Sequence, residues 1–225
     1  MDINYEVYVL KTYFNNFSNY TYIIMDIRSK AALIVDPSWE LKTITDKISS
    51  IGADLKAIFL THSHIDHVNL VSPLVKGFNP HVYMSKQEID FYGYRCSNLC
   101  SLADMDKISV GDINVLALLT PGHTVGGMCF MLEESIFTGD TIFTEGCGVC
   151  NLKGGSADQM FDSVQRIKSI VPIDTRVFPG HSYGITPGKT MQYLMEQNIY
   201  FAIENKKNFI EFRMRKNQKG LLDFK

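Results

Sequence analysis

Three histidines and an aspartate lie within six consecutive residues of the stretch THSHIDHV (61–68). At strand spacing His62 and His64 share one face, and in a turn after the strand Asp66 and His67 can reach an adjacent position. Imidazole nitrogens and carboxylate oxygens are ligands that zinc accepts. One ion in a compact site does not readily take all four side chains, so the stretch predicts a site for two metal ions. The alternative is that the histidines cap a turn, but three of the six histidines lie here.

Three further segments each place one ligand-type side chain directly after an apolar strand. They are LLTPGHT with His123, FTGDTIF with Asp140 and VFPGHSYG with His181. Taken singly, each would be read as an ordinary loop residue. As a set they predict strand-end loops that converge on the same site, because functional side chains are commonly held on loops of a rigid scaffold.

The elements that must position these residues alternate between strands and helices. The segments YEVYVLKTY, NYTYIIMDI, KAALIVD and LKAIFL read as strands, and the last runs into the histidine cluster. A helix is predicted at 67–76, and further helices begin at Ser85 with Glu88 and at Ser156 with Gln159, both capping-box spacings. Strands at 113–119, 128–132, 135–138 and TRVFP follow the same rhythm. The pattern predicts an α/β layered fold in which helices cover the sheets.

Length and composition predict one domain over residues 1–225 of an ordinary globular protein, with 45% hydrophobic and 20% charged residues. The apolar runs are shorter than the roughly 20 residues of a membrane helix, so no membrane association is expected. No signal peptide is visible. Five cysteines without a regular framework favour a reducing compartment, which predicts a cytoplasmic location.

Charge is unevenly distributed along the chain. The segment 205–225 carries seven basic and two acidic residues, a net of +5, whereas the whole chain has a net charge of −2. A basic C-terminal segment (206–225) on an acidic body suggests an acidic partner, and the alternative is a solvated helix end.

The order HxHxDH…H…D…H, with this spacing, resembles the metallo-β-lactamase superfamily over nearly the whole chain. The resemblance implies an αββα sandwich of a single domain that binds two zinc ions. It implies one zinc at His62, His64 and His123, a second at Asp66, His67 and His181, and Asp140 bridging the two. A hydroxide between the metals would attack the substrate, oriented by Asp66 as the catalytic residue.

Particular residues favour one branch of this superfamily. Asp140 argues against true β-lactamases, in which the bridging aspartate is missing or replaced, and Phe143 argues against signal-lactone hydrolases, which usually have tyrosine there. The stretches GDTIFTEGCG and GHSY are similar to glyoxalase II, which would place Tyr183 beside the thiol portion of a substrate. Val149, however, stands where that enzyme has a basic residue for a glutathione carboxylate, and we expect no room for its long glutathione-binding C-terminal helical domain.

The stretches HVYMSKQEIDFY, SIFTGDTIFTEGCG and FIEFRMRKNQKG resemble the zinc-dependent hydrolases of bacterial trans-acyltransferase (bacillaene-type) polyketide clusters. That resemblance implies hydrolysis of acyl thioesters on the phosphopantetheine of carrier proteins. Carrier proteins are acidic, which would give the basic segment 206–225 a partner. A thioester also suits a site without an obvious general acid, because a thiolate of pKa about 8.5 leaves with little help.

Several alternatives remain open from the sequence. One is a hydroxyacylglutathione hydrolase. Another is an iron-dependent persulfide dioxygenase that uses the residues matching His62, His123 and Asp140. A third is a carrier-protein binder without catalysis. A nuclease is disfavoured because no broad basic face or nucleic-acid module is apparent. The pairs Cys96/Cys100 and Cys147/Cys150 allow a structural zinc site, although buried free thiols are commoner.

Overall fold

The computed structural model describes residues 4–15, 17–216, 218, 220 and 224. The first half of the chain forms a six-stranded sheet in the order β1-β2-β3-β4-β5-β6, antiparallel from β1 to β3 and parallel from β3 to β6. Its strands are β1 (Tyr5–Phe14), β2 (Phe17–Asp26), β3 (Ala31–Val35), β4 (Asp54–Phe59), β5 (His81–Ser85) and β6 (Leu99–Leu102). Its helices are α1 (Leu41–Ser50), α2 (Ile65–Val68), α3 (Val71–Phe78) and α4 (Lys86–Tyr92).

The second half forms another six-stranded sheet in the order β12-β11-β10-β9-β8-β7. Its strands are β7 (Lys107–Val110), β8 (Ile113–Leu119), β9 (Met128–Met131), β10 (Ser135–Gly139), β11 (Arg176–Pro179) and β12 (Lys189–Thr190). Its helices are α5 (Ala157–Ile170), α6 (Met191–Gln197), α7 (Ile199–Ala202) and α8 (Lys206–Arg213). Among the described strands of this sheet, β10 and β11 pair in parallel and the other neighbours pair antiparallel.

The alternation of side chains along the central strands creates the layers. In β2, Ile24 packs between the sheets, whereas Ile23 packs under α1 and α3. In β9, Phe130 packs between the sheets, whereas Cys129 packs under the helices of the second half. Since side chains of a strand point alternately to its two faces, each sheet is buried on both sides. The predicted αββα sandwich is confirmed.

Local signals in the sequence place several helix starts correctly. The hydroxyls of Ser85 and Ser156 accept hydrogen bonds from the backbone N–H groups of Glu88 (3.0 Å) and Gln159 (3.3 Å), as expected for N-caps. The single helix predicted at 67–76 is wrong, because α2 and α3 are separate helices. Between them the N–H of Leu70 bonds to the Pro37 carbonyl (3.3 Å) instead of continuing the helical ladder.

Four strands, two from each sheet, end at the same edge of the sandwich. The parallel strands β3 and β4 end at Val35 and Phe59, and the parallel strands β10 and β11 end at Gly139 and Pro179. Parallel strands present their carboxyl ends on the same side of a sheet, where sites commonly form. Among the described residues, no helix is long and apolar enough to cross a membrane.

Candidate metal centre

The structure brings together the first predicted set of ligands. Nδ1 of His64 lies 3.1 Å from Nε2 of His62 and 3.0 Å from Nε2 of His123. His62 and His64 follow β4 in the first sheet, and His123 follows β8 in the second. The three nitrogens lie close enough together to hold one metal ion.

The second predicted set converges beside the first. Oδ2 of Asp66 lies 3.5 Å from Nε2 of His67 and 3.3 Å from Nε2 of His181. Asp66 and His67 lie in the four-residue helix α2, and His181 follows β11. These three side chains form another group able to hold an ion, and a third possible group, Asp36, His62 and His67, overlaps with both.

Asp140 faces both trios with different oxygens. Its Oδ1 lies 3.5 Å from Nε2 of His67 and 3.6 Å from Nε2 of His181. Its Oδ2 lies 3.5 Å from Nε2 of His123. A carboxylate oriented in this way has the geometry required to bridge two ions.

Four of the five histidines have their outer nitrogen fixed by an oxygen acceptor. The Nδ1–H acceptors are Thr61 Oγ1 for His62 (3.1 Å), Asp36 Oδ2 for His67 (2.9 Å), and the carbonyls of Val149 for His123 and Ser18 for His181 (2.7 Å each). The Thr61 hydroxyl can accept because it donates its own proton to Asp36 (2.6 Å). These bonds set the tautomers so that each Nε2 lone pair points inward, the arrangement that second-shell partners impose on metal-binding histidines.

The donor set fits a pair of divalent cations. His67 Nε2 and Asp140 Oδ1 are buried and have no hydrogen-bond partner among the residues that the structure describes. Burial lowers the pKa values of His62, His64 and His123, which favours the neutral imidazole that binds metal. Lone pairs of neutral imidazoles about 3 Å apart repel one another unless a cation or proton lies between them. The chemistry of the residues therefore supports metal use.

The carboxylates and imidazoles around the second trio shift one another's pKa values. Burial acts to lower the pKa of His67, but the carboxylates of Asp66, Asp140 and Asp36 outweigh it and raise that pKa well above its usual value. Burial acts to raise the pKa of Asp66, but His67 and His181 outweigh it and lower that pKa. Asp66 is thus an anion in a position that attracts a cation.

Asp36 is a site residue that the sequence analysis did not identify. It is 2% exposed, and it accepts hydrogen bonds from the Thr61 backbone N–H (2.8 Å), the Thr61 hydroxyl and His67. The signal was present, because Asp36 directly follows the apolar strand AALIV, as the other ligand-type residues follow theirs.

Glu88 is a second residue whose role was only partly anticipated. Its backbone N–H completes the Ser85 cap, but its side chain does not complete the capping box. One carboxylate oxygen accepts from the backbone N–H and hydroxyl of Ser63 (2.8 and 2.7 Å), and the other accepts from the Gly126 N–H (3.0 Å). Glu88 is fully buried. It therefore joins the turn between His62 and His64 to the loop that follows His123.

The GCG motif at 146–148 forms a tight loop against the first trio. Gly148 donates its N–H to the Asp140 carbonyl (3.1 Å), and a Cβ at this position would overlap that carbonyl. Arg213, which is 4% exposed, donates to the Cys147 carbonyl (3.3 Å) and to the Tyr200 hydroxyl (2.9 Å). Helix α8 thus supports the loop whose Val149 carbonyl orients His123.

A cavity of about 430 Å³ opens over the candidate ligands. Tyr183, the predicted substrate contact, lies in its wall beside Phe143, with ring centroids 5.9 Å apart. Burial, with a smaller effect of Asp140, raises the pKa of Tyr183 to about 12, so its hydroxyl is protonated at neutral pH. Val149 also lines the cavity, and the Phe224 ring stacks on His181 at 3.8 Å.

Residues 15–181 match the family model of the Metallo-beta-lactamase superfamily. The chain belongs to this superfamily. It is 58% identical to the Probable polyketide biosynthesis zinc-dependent hydrolase PksB of Bacillus subtilis (strain 168), over 100% of both chains. It is 54% identical to the Probable polyketide biosynthesis zinc-dependent hydrolase BaeB of Bacillus velezensis, also over 100% of both chains.

More distant superfamily members are also similar to this chain. Hydroxyacylglutathione hydrolase of Tolumonas auensis is 35% identical, over 73% of this chain and 62% of that protein. The crystal structure of ETHE1 from Myxococcus xanthus superposes with a TM-score of 0.84 at 27% identity, over 96% of this chain and 95% of that one. The predicted relationship to the glyoxalase II-like branch and to polyketide-cluster hydrolases is confirmed.

Fewer cations of the basic C-terminal segment are free to meet a partner than its composition indicates. Arg213 is buried, and Lys206 forms ion pairs with Asp158 (3.0 Å) and Asp162 (2.8 Å) of α5. Lys207, Arg215 and Lys216 are exposed, whereas Lys219 and Lys225 lie outside the described residues.

The cysteine zinc site considered from the sequence has no support in the described part of the chain. The possible metal-binding groups there contain only histidine and aspartate. Cys147 and Cys150 pack in the apolar cluster between the second sheet and its helices, and burial raises the pKa of the Cys150 thiol to about 12.

Proposed function

We propose that this protein is a zinc-dependent hydrolase of polyketide biosynthesis that cleaves acyl thioesters carried on phosphopantetheine. The single observation that carries the proposal is the cavity. Five of the seven candidate ligands line it, and its lining includes no lysine or arginine among the described residues, so no basic side chain is available there for the carboxylates of glutathione. The full-length likeness to PksB and BaeB supports the biosynthetic context.

The seven candidate ligands would hold two zinc ions, one at each trio with Asp140 between them. When bound, such a pair supplies a nucleophile from water at neutral pH and polarises the acyl carbonyl. In the overall reaction the C–S bond breaks and a C–O bond forms. The products are a carboxylate, a thiol and one proton.

Residues of this chain would orient the reactants. Asp66 is itself held by Asn19, whose amide donates to the Asp66 carbonyl (2.9 Å) and to Oδ2 (3.1 Å). This support fixes the carboxylate that would orient the attacking water. Tyr183 lies in the cavity wall and its hydroxyl is protonated, so we place this side chain beside the sulfur portion of the substrate.

The proposed carrier protein is an acidic partner of the exposed cations Lys207, Arg215 and Lys216. Arg215 contacts the Tyr200 hydroxyl (3.5 Å), and both Tyr200 and Tyr183 flank Gly146 at the loop below the cavity. A carrier bound beside Arg215 and Lys216, just after the C-terminal end of α8, would bring its prosthetic arm toward Tyr183. Charge reversal at these three residues should raise KM for a carrier-bound thioester and spare a small thioester.

The experiment is a comparison of acyl-glutathione, acyl-pantetheine and acyl-carrier substrates, together with metal analysis of the purified protein. We expect about two zinc ions per chain, turnover of pantetheine and carrier thioesters, and loss of turnover in Asp66→Ala. Hydrolysis confined to acyl-glutathione would support a hydroxyacylglutathione hydrolase instead. No turnover of any thioester would overturn the proposal.

Metal analysis also separates the oxidoreductase alternative. A dioxygenase with one iron at His62, His123 and Asp140 would leave the trio of Asp66, His67 and His181 without a role. One iron per chain together with oxygen consumption would support that alternative.

A further inference from the structure

Large apolar side chains are exposed around the mouth of the cavity. Phe14 and Phe17 flank the β1–β2 turn, Ile65 begins α2, and Leu152 lies in the loop after the GCG motif. Their exposed fractions are 53%, 40%, 68% and 50%, and all four line the cavity. Three separate segments thus contribute one apolar surface, and exposed apolar patches of this kind mark binding sites.

The apolar surface is continuous with the candidate metal centre. Phe14 stacks on Trp39 with ring centroids 4.7 Å apart, and Trp39 donates its Nε1–H to the Asn19 side chain (2.7 Å). Asn19 in turn holds Asp66. Two hydrogen bonds therefore link Trp39, through Asn19, to the Asp66 carboxylate, which would orient the nucleophile.

We infer that this apolar mouth, formed by Phe14, Phe17, Trp39, Ile65 and Leu152, is an acyl-chain subsite that selects thioesters of extended, uncharged acyl groups over acetyl. The inference rests on the proposed thioesterase function. Its reason is that the only charged groups lining the cavity, among the described residues, belong to the candidate metal centre. An acyl group that lies along the mouth therefore meets mainly apolar side chains.

The expected size of the selection follows from apolar burial. Each methylene transferred from water to an apolar surface favours binding by up to about fourfold. We expect kcat/KM to rise about two- to fourfold per added methylene until the mouth is filled, and then to level off.

The experiment uses the zinc-loaded full chain and N-acetylcysteamine thioesters of straight acyl chains from acetyl to decanoyl. Ile65→Ser and Leu152→Ser should each lower the ratio of kcat/KM for decanoyl to that for acetyl, and so flatten the dependence of kcat/KM on chain length. The matched control is Ile173→Ser, because Ile173 is similarly exposed (59%) but does not line the cavity. Melting temperature and zinc content exclude variants that have lost the fold or the metal.

The outcomes distinguish this inference from the function on which it rests. Equal kcat/KM for every acyl-chain length would overturn the acyl subsite and would not affect the proposed thioesterase function. No turnover of any thioester would overturn the proposed function itself. If Ile65→Ser and Leu152→Ser impair carrier-bound acetyl and decanoyl equally and spare the small thioesters, the mouth binds the carrier protein, and the subsite is again overturned.

Discussion

Nδ1 of His67 donates a hydrogen bond to Oδ2 of Asp36 at 2.9 Å. The same oxygen accepts from the Thr61 hydroxyl, which accepts from His62. One buried carboxylate therefore orients a candidate ligand of each trio.

Asp36→Asn should weaken metal binding at both trios. The asparagine amide keeps one acceptor oxygen, but its NH2 group must face donors that Asp36 accepts from, either the Thr61 backbone N–H or the Thr61 hydroxyl and His67. Loss of such a second-shell partner typically lowers metal affinity about 10- to 100-fold. Chelator competition measures the effect. Asp46→Asn is the control, since Asp46 is exposed on α1, and equal affinities for the two variants would contradict the role of Asp36.

Glu88→Gln should weaken the first trio selectively. The new amide would present a donor to Ser63 or Gly126, and the turn of His62 and His64 would shift relative to His123. We expect about a tenfold loss of affinity for one of two metal ions, with the second ion unaffected. Stepwise cobalt titration followed by absorbance resolves the two binding events. Ser63→Ala, which removes only one of the three bonds, should have a smaller effect, and parallel loss at both trios would argue against a selective role.

Val149→Arg should alter the substrate preference. A cation on the cavity wall can bind a carboxylate, and a charge-assisted hydrogen bond favours binding by roughly tenfold or more. The ratio of kcat/KM for acyl-glutathione to that for acyl-pantetheine should rise about tenfold. Val149→Met controls for side-chain volume. An unchanged ratio in Val149→Arg would mean that the missing cation does not exclude glutathione.

Arg213→Met should loosen the GCG loop. Arg213 is buried with its hydrogen bonds to Cys147 and Tyr200, so its removal takes that donor from the buried Cys147 carbonyl and costs about 2 kcal/mol in the free energy of unfolding. Cys147 is buried, so its thiol should react slowly with a disulfide reagent in the parent and faster in the variant, in which the loosened loop exposes it. The control is Lys216→Met, an exposed cation of the same segment, which should change neither quantity.

Asp26 should contribute a pH-dependent part of the stability. Backbone N–H groups of Asp112, Ser29 and Arg28, with that of Asp112 foremost, lower the pKa of Asp26 to about 2. Its stabilisation is present above the ordinary aspartate pKa of about 3.9 and is lost as the pH falls toward 2. Asp26→Asn should lower the free energy of unfolding by about 1 kcal/mol at pH 7.

The difference between the parent and Asp26→Asn should shrink below pH 4. Urea unfolding of chelator-treated protein tests this without interference from metal release. A difference that stays constant from pH 7 to pH 2.5 would exclude a role for ionised Asp26.

The layered fold could be predicted because apolar strands and capped helices alternate in the sequence, and this pattern depends on local spacing. The convergence of His62, His123 and His181 could be predicted because each follows a strand. The helix at 67–76 could not be divided correctly, since its interruption depends on the Leu70 N–H reaching Pro37, a contact distant in sequence.

Arg213 could not be distinguished from the other cations of the C-terminal segment by composition. Its burial depends on the packing of α8 against the GCG loop, which no local pattern encodes. Glu88 could be recognised only as a helix-start residue, because its partners Ser63 and Gly126 come from two other loops.

Each of the two predicted trios takes side chains from both sheets: His123 and His181 come from the second half of the chain, and their companions come from the first. Neither of these trios is therefore complete in a chain that is only half synthesised on the ribosome. The second trio cannot form until β11 has emerged and docked, so the paired centre would be completed late in assembly, and any activity that needs both ions would follow it.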